Sequence, residues 1–175
     1  MKRIAQFEKV SLEQFKKDWL DTFPYYEFEE GNYEDIYNAI QLPKRATKGS
    51  AGYDFIMPVG CKLFPNNELK VPTGIRVKIE DGWVLKCYPR SGLGFKYRLQ
   101  LNNTVGIIDS DYFYSDNEGH IFAKITNDSN EDKTLILNQG DAFMQGIFVE
   151  YGITYDDNVD KIRNGGMGST NKKLL

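Results

Sequence analysis

Five short segments of the chain combine glycines or small residues with charged, amide or hydroxyl side chains. They are Gly49–Asp54 (GSAGYD), Pro89–Gly94 (PRSGLG), Asn103–Tyr112 (NTVGIIDSDY), Gly140–Gly146 (GDAFMQG) and Arg163–Thr170 (RNGGMGST). Small residues let a ligand approach the backbone closely, and the polar groups beside them can bind it. Taken singly, each of these has a plainer interpretation: Gly49–Asp54 as a turn, Pro89–Gly94 as a loop with a solvated arginine, Gly140–Gly146 as a core strand braced by an amide, and Arg163–Thr170 as a disordered tail.

Asp109 and Asp111 are the candidates for proton transfer. They lie two residues apart, after an apolar stretch and before Tyr112, and on an extended chain residues two apart point to the same side. A carboxylate held beside an apolar wall can orient and deprotonate a water molecule. The plainer alternative is a polar hairpin tip.

Histidine and cysteine usage excludes several chemistries. His120 is the single histidine, and Cys61 and Cys87 are the two cysteines. They do not suffice for a His/Cys zinc site or for the usual Ser–His or Cys–His nucleophile pair. The chemistry must therefore use carboxylates, cations and a metal held by oxygen, and we expect both thiols to be buried and free.

Charge and hydropathy place the chain among globular proteins. The net charge of −3 argues against a broad basic face that binds nucleic acid directly. No apolar run reaches the roughly 20 residues that span a bilayer, and the N-terminus lacks the apolar stretch of a secretory signal. We therefore expect no membrane association and a cytoplasmic location.

The apolar periodicity changes near Leu42. Before it, Ser11 and Gln14 form a capping-box signature that begins a helical pattern ending near Phe23, and a second helix is predicted from about Asn32. After it, alternation at Ile75–Ile79 and the aromatic-rich run Trp83–Tyr88 are among many predicted short strands, separated by turn-forming residues. The sequence predicts an all-β body with one or two N-terminal helices.

The five segments, taken together and in this order, resemble the motifs of the trimeric dUTPase family. The matching parts are AGYD at Ala51–Asp54, PRSG at Pro89–Gly92, Asn103–Tyr112, GD…Q at Gly140–Gln145 and R…GG-x-GST at Arg163–Thr170. The resemblance implies a distorted jelly-roll (β-clip) body, residues 43–160, preceded by a helical extension, 1–42, and followed by a mobile arm, 161–175. It also implies a homotrimer with shared active sites that hydrolyses dUTP with Mg²⁺.

The resemblance implies a role for each motif. Asp109 would activate the attacking water, and Tyr112 would stack beneath the deoxyribose and exclude a 2′-hydroxyl. Asn103, Gly106 and Ile108, in the segment that reads uracil, would contact the base. The expected phosphate contacts are Arg90, Ser91, Gly92, Gln145 and, on the arm, Arg163, Gly168 and Ser169. Asp54 would help to place Mg²⁺ through water.

The chain departs from the family pattern at several positions. Met167 stands where the arm usually has an aromatic residue that covers uracil, and Ala142 replaces the usual arginine of the fourth motif. About five extra residues follow Tyr112, and the arm is one residue shorter between its arginine and its glycines. We expect a softer contact of the arm with the base, because a thioether is less directional than an aromatic ring.

Two alternatives stay open from the sequence. A dCTP deaminase shares this body and has a glutamate shortly after the third motif, a place that Glu118 could fill. A dUTPase-like regulatory switch, as some phages encode, would bind a protein partner through the N-terminal extension or the loop 113–118.

Overall fold

Short strands make up most of the chain. The computed structural model describes residues 2–24, 32–161, 163 and 165. The strands are β1 (Ala5–Lys9), β2 (Lys44–Arg45), β3 (Tyr53–Ile56), β4 (Cys61–Leu63), β5 (Glu68–Pro72), β6 (Ile75–Ile79), β7 (Trp83–Pro89), β8 (Leu99–Leu101), β9 (Gly106–Ile108), β10 (Phe122–Asn127), β11 (Leu135–Leu137) and β12 (Ala142–Glu150). The helices are α1 (Leu12–Thr22), α2 (Asn32–Ala39) and α3 (Ser91–Tyr97), and a 3₁₀ helix covers Ser110–Tyr114.

The strands pair antiparallel in small sheets. The largest has the order β2-β3-β12-β7-β9, a second has the order β5-β10-β8, and β1-β6 and β11-β4 form pairs. Along β6, Ile75, Val77 and Ile79 are buried while Lys78 is exposed, as alternation requires. The predicted all-β, jelly-roll-like class is confirmed. No helix in the described part of the chain is long and apolar enough to cross a membrane.

The first helix, α1, packs on the β body through one apolar face. Phe15 and Trp19 are almost fully buried in the same core as Phe55 and Leu85 of the large sheet. Burying an aromatic side chain of this size contributes roughly 1.5–3 kcal/mol. The helix therefore forms part of the core.

The N-terminus of α1 is capped differently from the sequence prediction. Ser11 Oγ accepts a hydrogen bond from Gln14 N at 3.1 Å, as a capping box requires. The Gln14 side chain, however, donates to Asp18 instead of Ser11. The carboxylate of Glu118 accepts from Ser11 N at 2.8 Å and from Ser11 Oγ at 2.7 Å. A residue from the third motif's loop thus completes the cap.

Two elements differ from the sequence predictions. The sequence predicts a helical segment before Leu42, but β1 pairs with β6 from Ala5↔Ile79 to Lys9↔Ile75. It predicts a loop at the PRSG segment, but α3 begins at Ser91. β1 has only Phe7 as a large apolar residue, so its sequence shows little apolar alternation. The segment becomes a strand because it pairs with the edge of β6.

Candidate active site

The first group of candidate residues lies at the C-terminal end of β7, and we call Asp54, Arg90 and Gln145 the Arg90 cluster. Arg90 forms an ion pair with Asp54, whose side chain is only 19% exposed. Gln145 lies opposite Asp54 in the β12–β3 pairing and donates to Pro89 O at 3.2 Å. Ser91 and Gly92 are the first residues of α3, directly after Arg90.

Gly52 of the first motif packs directly against Gln145 of the fourth motif. A Cβ at this position would lie 2.7 Å from Gln145 Oε1, inside van der Waals contact. A side chain at residue 52 would therefore displace the Gln145 amide from its place in the Arg90 cluster.

The third motif forms a narrow cleft beside β7. The cleft is lined by Cys87, Leu101, Asn103, Gly106, Ile108 and Met144. A Cβ on Gly106 would lie 3.1 Å from Cys87 Cβ, so the glycine lets β9 approach β7 closely. Burial raises the pKa of the Cys87 thiol to about 12, so this wall of the cleft is uncharged.

Two aspartates and an arginine meet at the end of the third motif, and we call Asp109, Asp111 and Arg163 the aspartate pair and its arginine. Arg163 Nη2 donates to Asp109 Oδ2 at 2.6 Å, and Arg163 Nε donates to Asp111 Oδ1 at 2.9 Å. Both carboxylates are about half exposed. Among the described residues, Asp109 Oδ1 has no hydrogen-bond partner, so this oxygen is open to a water molecule.

The two aspartates do not lie together on an extended strand, as the sequence interpretation assumed. Asp109 is extended, but Asp111 lies within the 3₁₀ helix. Ser110 between them donates to Asp81 Oδ1 at 3.1 Å. The carboxylates meet because the chain turns and because Arg163 binds both of them.

Tyr112 is the buried member of this region. Its hydroxyl donates to His120 O at 2.7 Å and accepts from Asn117 Nδ2 at 2.9 Å. Burial raises the pKa of the Tyr112 phenol, which therefore stays protonated at neutral pH. Its ring centroid lies 5.9 Å from Arg163 Cζ, so the structure places Tyr112 with the aspartate pair.

The Arg90 cluster and the aspartate pair lie at opposite ends of β7. Ile108, directly before Asp109, pairs with Leu85, and Arg90 follows five residues after Leu85 along the same strand. At about 3.3 Å per residue this separation is roughly 17 Å. One chain therefore does not bring Arg90 and Asp109 into contact.

The carboxylates of the site suit a metal ion that is already bound to water and to the substrate phosphates. In the described part of the chain, no group of three or more His, Cys, Asp or Glu side chains could hold a metal. Asp54 has an oxygen donor of the kind that Mg²⁺ prefers, but its charge is already offset by Arg90. Mg²⁺ keeps several waters and binds substrate phosphates, so Asp54 suits an indirect contact through water.

Sequence reasoning missed two residues of the recess beside Asp109. Lys86 and Tyr151 line it together with Asp109 and Asp111. The outward position of Lys86 on β7 is the signal that could have identified it. Met167, Gly168 and Ser169 are also predicted site residues and lie outside the described residues.

The comparisons with known proteins agree with the motif order. The profile of the dUTPase family matches residues 38–172, which leaves β1 and α1 outside the match. A deoxyuridine 5′-triphosphate nucleotidohydrolase of Lactococcus lactis is 38% identical over 134 residues, covering 75% of this chain and 88% of that protein. The enzyme of the same name from Dictyoglomus turgidum is 34% identical over 146 residues, covering 78% and 95%.

Solved structures show the same fold. The dUTPase from Streptococcus mutans has a TM-score of 0.61 and 31% identity, and the match covers 85% of this chain and 97% of that one. A mutant dUTPase from phage phi11 of Staphylococcus aureus has a TM-score of 0.61 at 19% identity, covering 91% and 98%. The structure of that mutant reveals how a structural Mg(II) ion is coordinated there.

Proposed function

The chain belongs to the dUTPase family, and from that premise we propose that it hydrolyses dUTP to dUMP and pyrophosphate with Asp109 as the base. The observation that supports this assignment best is the state of the Asp109 carboxylate. Arg163 holds Oδ2, and Oδ1 is open beside a recess. A base needs such a free lone pair within reach of its water.

In the proposed reaction, Asp109 Oδ1 takes a proton from a water whose oxygen attacks the α-phosphorus. A bond forms between that oxygen and phosphorus, the bond to the bridging oxygen breaks, and pyrophosphate leaves. Such transfers depend on positioning and on offsetting charge more than on covalent help. Arg163, already beside Asp109, is placed to offset charge on the outgoing phosphates.

We assign phosphate binding to Arg90, Ser91, Gly92 and Gln145. Arg90 is 38% exposed while it pairs with Asp54, so part of its guanidinium is free to meet an anion. Asp54 would contact the Mg²⁺ that the triphosphate brings, through water, and this ion would offset the charge of the phosphates. On the arm, Gly168 and Ser169 are assigned to the same phosphates.

We assign the base and the sugar to the third motif. Asn103, Gly106 and Ile108 line the narrow cleft, and the backbone of this segment would contact the edge of the uracil ring. Tyr112 lies near Arg163 at the aspartate pair, and its ring would stack on the deoxyribose. Met167 would cover the uracil ring from the arm.

We further propose that complete sites form between subunits of a homotrimer. The roughly 17 Å between Arg90 and Asp109 in one chain supports this arrangement. Phe95 on α3, five residues after Arg90, is 91% exposed, and Ile107, two residues before Asp109, is 51% exposed. Apolar side chains at both half-sites are expected where another subunit packs.

The first experiment measures pyrophosphate release from dUTP, dCTP, dTTP and UTP in the presence of Mg²⁺. We expect release from dUTP and little from the other three. Ammonia release from dCTP, or equal rates for all four nucleotides, would contradict the proposal.

A second experiment tests the shared site. We expect the Asp109→Asn and Arg90→Ala proteins each to be inactive alone. Their co-refolded 1:1 mixture should recover about one quarter of wild-type activity, because random assembly of a cyclic trimer pairs an intact Arg90 half-site with an intact Asp109 half-site in about one site of four. Mixing the two proteins without refolding is the control. Sites built within one chain would give no recovery.

Glu118 argues against the deaminase alternative. Its carboxylate binds Ser11 N and Oγ and lies 3.7 Å from Arg76 Nη1. A catalytic glutamate has to face the substrate, whereas this one caps α1. The same contacts use part of the loop 113–118 internally, so a protein-binding switch through that loop would rely on the exposed side chains of Tyr114 and Asp116.

We place the reaction in the cytoplasm, where it would limit uracil incorporation into DNA and supply dUMP for dTMP synthesis. The measurable counterpart is the ratio of dUTP to dTTP in cells that express the chain. We expect this ratio to fall with the wild-type protein and to stay unchanged with Asp109→Asn.

A further inference from the structure

α1 lies outside the part of the chain that matches the dUTPase family, yet it contacts the segment that follows Tyr112. Ser11 at its N-terminus binds Glu118, and Asp18 in its second turn binds His120. Asp18 and His120 are 102 residues apart in sequence. These two contacts tie an element beyond the shared body to the third motif.

The contact between Asp18 and His120 is buried and directional. His120 is fully buried, and its Nδ1 lies 2.6 Å from Asp18 Oδ2. Gly74 N donates to His120 Nε2 at 2.7 Å, so Nε2 is the acceptor and the hydrogen-bond network puts the ring proton on Nδ1. Asp18 therefore accepts that proton's hydrogen bond and holds the imidazole ring in one orientation.

Position 74 of this network requires a glycine. Its φ is +72°, and a Cβ there would collide with Ile40 Cδ1 and lie 3.3 Å from Phe15 Cδ2. Its N–H is thereby brought against His120 Nε2, while Asp18 of α1 binds Nδ1. The imidazole is held at both of its nitrogens.

His120 in turn holds Tyr112. The carbonyl oxygen of His120 accepts from the Tyr112 hydroxyl at 2.7 Å, and Asn117 donates to the same hydroxyl. Between them, Gly119 lies so close to the Tyr112 backbone that a Cβ would be 2.7 Å from Tyr112 O. A shift of residue 120 would therefore shift the far end of the Tyr112 ring.

A second connection runs on the outer side of the same loop. The Arg76 guanidinium lies 3.6 Å from the centroid of the Phe113 ring, donates to Phe113 O at 3.1 Å, and faces Glu118. Glu118 in turn binds Ser11 at the start of α1. Both ends of the loop that follows Tyr112 are thus fixed to the body or to α1.

We propose that α1 positions Tyr112 for discrimination against ribonucleotides, with Asp18 as the positioning residue that acts through His120. The inference rests on the proposed function, because it uses the stacking role of Tyr112. Asp18 touches no substrate and affects the reaction only through the orientation of the Tyr112 ring.

The experiment compares kcat/KM for dUTP with kcat/KM for UTP in the full-length protein. We expect Asp18→Ala to narrow this ratio about tenfold, below the roughly 10²-fold that a misplacement of 1 Å can cost. Asp18→Asn should keep most of the discrimination, because its amide oxygen can still accept from His120 Nδ1. If Asp18→Ala does not fold, Asp18→Ser serves the same comparison, because its side chain is too short to reach Nδ1.

Two controls separate positioning from loss of stability. Trp19→Phe loosens the same helix without touching His120, and we expect it to lower the melting temperature while leaving the ratio unchanged. In a Tyr112→Phe background, where the link to the His120 carbonyl is absent, Asp18→Ala should have no further effect on the ratio.

Three results would overturn the inference: an unchanged ratio in Asp18→Ala, an equal narrowing in Trp19→Phe, or a full effect that persists in the Tyr112→Phe background. Failure of the proposed function looks different. In that case the wild-type protein itself would not hydrolyse dUTP or would not prefer it to UTP.

Discussion

Replacement of Asp109 by asparagine separates the proposed chemistry from binding. The substitution keeps the side-chain shape but removes the ability to take a proton. General-base catalysis typically contributes 10²–10⁴-fold, or about 3–5 kcal/mol of barrier. We therefore expect kcat for dUTP to fall by at least about 10²-fold.

The same substitution should change dUTP binding very little. Asp109 loses its charged contact with Arg163, but Arg163 keeps its bond to Asp111 at 2.9 Å. The side chain of Asp109 is 48% exposed, and exposed ion pairs contribute about 0.2–1 kcal/mol. The expected change in Kd is therefore less than about fivefold.

Single-turnover pyrophosphate release and calorimetric binding of a non-hydrolysable dUTP analogue measure the two quantities. Asp111→Asn is a matched control, because Asp111 binds the same arginine from two residues away. We expect this variant to keep kcat within about fivefold of wild type, the range of one exposed ion pair. Asp109→Asn with most of its turnover, or equal losses in both variants, would refute the assignment of the base.

Three further predictions concern stability and thiol reactivity. Glu118→Ala removes both carboxylate bonds to the N-terminus of α1 and, since Glu118 is partly exposed, should cost only about 1 kcal/mol, or about 2–4 °C in Tm. Gly146→Ala places a Cβ 2.8 Å from the buried Leu85 and should lower the free energy of unfolding, measured in urea, by about 1–3 kcal/mol. Gly49→Ala, which has open space around it, should leave that free energy unchanged. Equal urea midpoints for the two variants would contradict this prediction. Burial raises the pKa of the Cys87 thiol to about 12, and it raises the pKa of the half-buried Cys61 thiol by less. At about pH 8, near the ordinary thiol pKa, a disulfide reagent should therefore label Cys61 in the native protein and Cys87 only after unfolding.

Much of the body could be predicted because its pattern is local. Alternation along Ile75–Ile79 and the aromatic-rich run from Trp83 both became strands, with bounds close to the predicted ones. β1 was missed because a strand with one large apolar side chain has no alternation to detect, and only the edge of β6 makes it a strand. α3 was missed because Gly92 and Gly94 are poor helix formers, although the helix lies there.

The candidate site was predictable to the extent that its motifs are contiguous. Asp109 and Tyr112 belong to one short segment, and the structure brings both of them near Arg163. The pairs that join distant segments, such as Asp18 with His120, leave no local periodicity for sequence reasoning to use. Gln14 was assigned to a capping box, yet its side-chain partner is Asp18, because the carboxylate of Glu118 occupies the helix N-terminus.

In the proposed trimer, the position of β7 explains why one chain alone does not make a complete site. Its C-terminal end holds Arg90 with Asp54, its N-terminal part pairs with the strand that leads to Asp109, and the length of the strand keeps them roughly 17 Å apart. In one chain, Arg90 and Arg163 are each neutralised by aspartates of that chain. A triphosphate that bridges two half-sites would compete with those aspartates for both arginines. The same binding event would release Asp109 from Arg163 and leave its carboxylate free to act as the base.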